Sequence, residues 1–315
     1  MNRCLITYNP CEEGRYSSAG LRLISPRLKK LNDFPYSKEE QIREAVARAD
    51  KISIQGVQPK LSVKLNIPES TFEIVDAGGT FIIKPQHNYY PELPENEDTT
   101  MRLAATIGIE VPLHGLIACA DGSRSYFIRR FDRLPRGKKV PVEDFAQLSG
   151  NTRETKYQSS MERVADIMDQ FCTFPLLEKI KLFRLTIFCF LCGNEDMHLK
   201  NFSLIRRNGK VELSPAYDLV NTTIALTAAT EELALSLAGK KSKLTREDMI
   251  NYFGKERLGL SETVLNDEIE HIKRSLPTWL EIIQISFLSD MMKEQYKKLI
   301  LSRSRRLEID TAIST

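Results

Sequence analysis

Residues 176–192 carry apolar residues at three- and four-residue spacing, unbroken from Ile187 to Cys192, and at Gly193 that character stops. Polar and ionisable residues follow at once in Gly193-Asn-Glu-Asp-Met-His-Leu-Lys-Asn-Phe-Ser203. Residues 202–211 then read as a hairpin with its turn at Asn208-Gly209. A core helix that breaks onto an ionisable loop, with a tight hairpin behind it, leaves few architectures open.

Asp196 and Asn201 lie five positions apart, the spacing of a protein-kinase catalytic loop, where the Asp faces the attacking hydroxyl and the Asn binds Mg²⁺. Phosphoryl transfer needs an acceptor-only group near the nucleophile and oxygen ligands for a hard cation, so these residue types suit it. Asp218 supplies a second metal carboxylate beyond the hairpin. The spacing alone is a weak signal, and its context between helix and hairpin gives it weight. A plainer reading also stands, in which Asp196 and Asn201 only cap and turn a helix-to-strand connection. His198, between the two, reads as a nucleotide or acceptor contact.

The N-terminal half is β-rich. Strands are predicted over residues 61–65, 72–75 and 81–84, with a turn at Asp76-Ala-Gly-Gly79 and hairpin chemistry between the last two. Pro85 ends the third strand because it cannot donate to a ladder. Lys84 is placed like the strand lysine that pairs with nucleotide phosphates, although a strand-end lysine commonly just reaches solvent. A helix is predicted over 94–107, stopped by Gly108. Glu97 in its first turn is either the ion-pair partner of Lys84 or a charge favouring the helix N-terminus. The loop from Ser53 through Gln55, Gly56 and Val57 to Lys60 could cover a phosphate with its backbone N–H groups and Lys60; a plain polar loop fits equally. Two more strands are predicted over 115–119 and 126–128.

After Pro141 the texture is helical. Helices are predicted over 161–171 and 176–192, another opens at the capping box Thr245…Asp248, and a stripe over 277–301 passes through Trp279, Ile283, Phe287, Met291 and Leu299. The expected fold is α+β, with a β-rich lobe over 1–133 and a mainly helical lobe over 134–315.

Lys+Arg 45 against Asp+Glu 42 leaves a net charge of +3, which argues against a dedicated nucleic-acid or membrane-surface binder. Nothing approaches a membrane-spanning apolar run, and the first residues lack the apolar core of a secretory signal, so neither is expected. The 6 cysteines are scattered in apolar surroundings, as in a reduced cytoplasmic protein, and Cys189 and Cys192 read as core residues. The 4 histidines and the cysteines form no metal-ligand pattern, and the nucleophile-elbow and zinc-protease motifs are missing.

Taken together, Ser53-Ile-Gln-Gly-Val-Gln-Pro-Lys60, Phe81-Ile-Ile-Lys84-Pro85, Arg130-Phe-Asp-Arg133, the loop 193–203, Pro215-Ala-Tyr-Asp218 and the run 234–241 resemble the HipA-type serine/threonine kinases of bacterial toxin–antitoxin systems. The chain looks closest to the short HipT form, in which an N-terminal subdomain is a separate small protein, HipS, beside a DNA-binding HipB. The resemblance implies a two-lobed kinase-like fold, ATP and Mg²⁺ as cofactors, and Asp196 as catalytic residue. It implies Asn201 and Asp218 as metal ligands, Lys84 on phosphate and His198 in the nucleotide site. It further implies adenine against the backbone of residues 128–131, including Arg129 and Phe131, and autophosphorylation at Ser53. Gln55 stands where some relatives carry a second serine, and Arg129 where full-length HipA is acidic.

The resulting expectation is a cytoplasmic protein kinase toxin whose target is an aminoacyl-tRNA synthetase, with HipS-like and HipB-like partners, DNA reached only through a partner, and no membrane. Two alternatives carry different features. A small-molecule phosphotransferase would share the Asp, Asn and Asp set. A non-catalytic DNA-bound subunit would use the basic face of Lys297, Lys298, Arg303, Arg305 and Arg306, though such a run is usually a solvated face.

Overall fold

In the computed structural model the apolar runs of the N-terminal half pair into one antiparallel sheet. Residues 2–48, 58–134, 137–152, 154–226 and 231–309 are described. The chain divides into two units, the first made of Met1–Asp98, Pro112–Lys138 and Ile285–Phe287. It opens with β1 (Asn2–Arg3), β2 (Pro10–Cys11), α1 (Ser18–Ile24) and α2 (Lys38–Ala47), elements that the prolines of this region hide in the sequence. Ser17 and Ser37 cap the two helices, and Glu40 completes a capping box with Ser37.

The sheet follows: β3 (Leu61–Asn66), β4 (Thr71–Ile74), β5 (Phe81–Lys84), then, after the start of α3 (Leu93–Thr106), β6 (His114–Ala118) and β7 (Arg124–Arg129). Its order is β4-β3-β5-β7-β6. The hairpin expected between β4 and β5 does not form. Both strands pair with β3, on opposite edges, and Val63 is matched to Ile74 on one side and Phe81 on the other. The link between them crosses β3, where Val75 N donates to Ser62 O and Thr80 N to Val63 O. A Cβ on Gly79 would overlap the Ser62 hydroxyl, so this glycine serves close passage rather than a hairpin turn. Phe72, Phe81 and Phe127 meet on one face at ring separations of 5.1–6.2 Å and anchor the core.

The second unit comprises Thr99–Val111, Lys139–Gln284 and Leu288–Thr315. It holds β8 (Val142–Asp144), α4 (Phe145–Leu148), α5 (Met161–Phe171), α6 (Pro175–Cys192), β9 (Ser203–Arg207), β10 (Lys210–Leu213), α7 (Thr222–Ala225), the π-helical stretch Glu247–Arg257, α8 (Glu262–Ile285) and α9 (Asp290–Arg306). The predicted helices α5 and α6 are present. So is the hairpin, as β9–β10, whose Asn208 and Gly209 both take positive φ, 50° and 76°. β8, unforeseen in the sequence, makes it a three-stranded sheet in the order β10-β9-β8.

The stripe over 277–301 does not form one helix. α8 ends at Ile285, and the Ser289 hydroxyl, accepting from Met292 N, starts α9. That restart shifts the inward register: Met292, Tyr296 and Ile300 are buried, whereas Met291 is 66% exposed. Among the described residues no helix is long and apolar enough to cross a membrane.

Candidate active site

α6 is buried along nearly its whole C-terminal half, and burial pushes the Cys189 thiol up to about 12 and that of Cys192 well above its ordinary value. Neutral, enclosed thiols of this kind belong to the core. The helix stops because Gly193 adopts φ 73° and its neighbours leave no room for a side chain: a Cβ would stand 2.5 Å from Leu299 and 2.7 Å from Asn221 and Thr223.

Beyond Gly193 the backbone is turned by amides. Asn194 Oδ1 accepts from Asp196 N at 3.1 Å, and Asn201 Nδ2 donates to Asp196 O at 2.8 Å. Turning the loop is therefore the work of Asn194 and Asn201. The Asp196 carboxylate stands exposed, with the Tyr157 hydroxyl on Oδ1 at 2.5 Å. Asn201 thereby commits its amide nitrogen to the backbone of the loop.

His198 is buried in the same loop, with Lys156 Nζ 2.6 Å from Nε2 and the Tyr157 ring edge-on at 4.9 Å. Burial, chiefly, lowers its pKa; the Lys156 ammonium adds to this, while Asp196 and Asp218 pull it back up. The imidazole is neutral near pH 7. Asp218 follows Tyr217, whose hydroxyl is 2.5 Å from Ser203 Oγ and donates to Lys200 O at 3.0 Å, and precedes the fully buried Leu219. It adopts φ 55°, a left-handed conformation that costs a residue with a β-carbon about 1–2 kcal/mol.

Sequence reading missed the supports of this loop. Arg303, on α9, is 4% exposed and reaches both Phe190 O (2.6 Å) and Glu195 Oε1 (3.2 Å). Arg303 is thereby removed from the basic face, as an internal strut, while Lys298, Arg305 and Arg306 remain exposed on α9, Arg306 paired with Glu232 and Lys297 with Glu294. Tyr157 and Lys156 were equally invisible, since they sit on irregular chain with no periodicity to mark them.

In the first unit, Lys84 and Glu97 are buried together, 2% and 0% exposed, with Nζ donating to Oε1 at 2.5 Å and lying 5.5 Å from the centre of the Tyr126 ring. Glu97 thus faces a buried cation rather than the solvated end of α3. Arg129 is differently engaged. Its guanidinium donates to the carbonyls of Leu23 and Ile24 at the end of α1 and stacks on Phe81, and its N–H donates to Leu113 O. A side-chain contact to a nucleotide is thereby set aside. Phe131 is half-buried beside the Arg130–Asp132 pair, and Lys60 directly precedes β3. Ser53, Gln55, Gly56 and Val57 lie outside the described residues.

An α+β chain with this sheet, this helical half and an Asp–Asn loop closing a buried helix has a protein-kinase-like fold. A family profile described as HipA-like C-terminal domain matches residues 52–280, and the chain belongs to that family. A Haemophilus influenzae protein named "Putative kinase" is 33% identical over 243 residues, covering 71% of this chain and 69% of that protein. The "Serine/threonine-protein kinase toxin HipA" of Shewanella oneidensis is 29% identical over 190 residues, 54% of this chain and 43% of its own length. A chain of the solved Shewanella oneidensis complex of HipA, HipB and operator DNA shares the fold at TM-score 0.70 and 22% identity, over 93% of this chain and 75% of that one.

Proposed function

We propose that the chain is an ATP- and Mg²⁺-dependent protein serine/threonine kinase and the toxin of a bacterial toxin–antitoxin system. What carries this reading is the exposed Asp196 carboxylate, set at the end of a buried helix and tied through its backbone to Asn201. Asp196 accepts the proton of the attacking hydroxyl. Asn201 Oδ1 and the Asp218 carboxylate are hard oxygen donors that fit Mg²⁺, which when bound neutralises phosphate charge. Lys84, fixed by Glu97, is the phosphate-binding cation, and Lys60 with the backbone of 53–57 covers the phosphates. Neutral His198 contacts the nucleotide, and adenine lies against the backbone of 128–131 with Phe131 beside it.

In this reading Ser53 is autophosphorylated, the protein substrate is an aminoacyl-tRNA synthetase, and the chain acts in the cytoplasm as a short HipT-like form. Its partners are a HipS-like small antitoxin and a HipB-like protein, through which it reaches DNA. The test is incubation of the purified chain with labelled ATP and Mg²⁺, alone and with cell extract, followed by identification of the labelled residue. Label on Ser53 and on one synthetase supports the whole reading; label on small molecules alone overturns the protein-kinase assignment.

A further inference from the structure

The Tyr157 hydroxyl donates to Asp196 Oδ1 at 2.5 Å, the place a substrate alcohol takes when a carboxylate receives its proton. Tyr157 lies on irregular chain between α4 and α5 and is 40% exposed, so its ring covers the loop without belonging to the core. Three contacts hold it there. Lys156 Nζ is 4.8 Å from the ring centre, the His198 ring meets it edge-on, and Leu199 N donates to the Lys156 carbonyl at 3.3 Å. Burial, chiefly, and the Asp196 charge raise the phenol pKa above its ordinary value, so it remains a proton donor under working conditions.

We propose that Tyr157 is a gate built into the acceptor site. Its hydroxyl occupies the substrate position on Asp196, and an incoming protein alcohol must displace it before phosphate can be transferred. The inference deepens the kinase reading and rests on Asp196 as the proton acceptor. Displacement rotates a partly exposed side chain, breaking one hydrogen bond to a charged oxygen and giving up the ring contacts with Lys156 and His198. The segment's backbone stays anchored through Leu199. A gate of this kind disfavours acceptors that bind weakly, water included, and admits a substrate whose own docking energy can move the ring.

Two measurements test it. In the first, transfer from ATP to dephosphorylated casein is compared for wild type and Tyr157→Phe, which keeps the ring over His198. Removing a competing hydrogen bond to a charged group should lower the KM for casein about tenfold, leaving kcat and the KM for ATP unchanged. An unchanged casein KM, or a fall in kcat, overturns the gate in favour of a positioning role. In the second, the phenol of Tyr157 is titrated by ultraviolet difference between each protein and its Tyr157→Phe counterpart. Asp196→Asn should shift that ionisation to lower pH. No shift means the contact is absent in solution and overturns the gate without touching the kinase reading. A clear shift with no phosphate transferred by any variant overturns the kinase reading, and with it the gate's function.

Discussion

Arg303 and Glu195 form a buried ion pair, Nη2 to Oε1 at 3.2 Å, that joins the last helix to the residue next to Asp196. The same guanidinium donates to Phe190 O, so one side chain braces both the end of α6 and the start of the candidate catalytic loop. Burial lowers the Arg303 pKa and raises that of Glu195, so each charge depends on the other. Arg303→Met should leave Glu195 buried without its cation and cost about 3–5 kcal/mol, read as a lower urea midpoint. A loss below about 1 kcal/mol would mean that water reaches the pair and that it braces nothing.

Gly193→Ala should destabilise for two additive reasons. The left-handed φ of 73° costs an alanine about 1–2 kcal/mol, and its Cβ would press on Leu299, Asn221 and Thr223. The disturbance falls on the helix end that sets Asp196, so the variant should lose activity at temperatures where it is still folded. A melting temperature equal to wild type would contradict this account of the helix stop.

Asp196→Asn and Asp218→Asn separate two roles on one loop system. Asp196→Asn should abolish phosphoryl transfer with Mg·ATP binding retained, because it removes a proton acceptor from an exposed position. Asp218→Asn should weaken Mg²⁺-dependent nucleotide binding, with partial recovery at higher Mg²⁺. Calorimetry on both variants decides the matter; identical Mg·ATP binding by Asp218→Asn removes it from the metal site.

Glu110 gives a pH signature. Bidentate hydrogen bonds from Arg207, 2.7 and 2.9 Å, hold its carboxyl below the ordinary value, and its carbonyl accepts from Ala216 N just before Asp218. A depressed carboxyl contributes stability that is present above the ordinary pKa of 4.5 and lost as pH falls through the folded value. Glu110→Gln should therefore flatten part of the fall in the urea midpoint between about pH 5 and pH 3, by less than about 1 kcal/mol for so exposed a pair. An identical pH slope in both proteins would exclude a contribution from this carboxylate.

Local chemistry was legible where one element decides the outcome. The periodicity of α5 and α6 and the Asn-Gly turn of β9–β10 are properties of neighbouring residues, and they read directly from the chain. Pairing across the sheet is not such a property. The Asp76-Ala-Gly-Gly79 run carries turn residues whether it closes a hairpin or crosses β3, and only the packing of Gly79 on Ser62 distinguishes the two. The division of the stripe into α8 and α9 depends on one cap, Ser289, in a run whose apolar spacing continues past it. Tyr157 and Arg303 were hidden for a related reason: the first acts on a residue 39 positions away and the second on one 108 positions away, and neither carries a local pattern.

Lys84 and Glu97 offer the sharpest test of a role that is both structural and functional. The pair is almost wholly buried, so removing one member leaves an uncompensated charge. Lys84→Met and Glu97→Gln should each lower stability, the first by about 3–5 kcal/mol and the second by less, because an amide oxygen at position 97 can still accept from the Lys84 ammonium. Lys84→Met combined with Glu97→Leu should recover much of that loss, since an apolar pair fills the volume without a desolvation cost. Stability and nucleotide binding should then part company. The double variant should fold nearly as well as wild type and still fail to bind ATP tightly, because the phosphate-facing cation is gone. Denaturant unfolding and nucleotide calorimetry on wild type and the three variants read the two quantities separately. ATP bound by the refolded double variant as tightly as by wild type would reduce Lys84 to a core ion pair and move the phosphate site elsewhere.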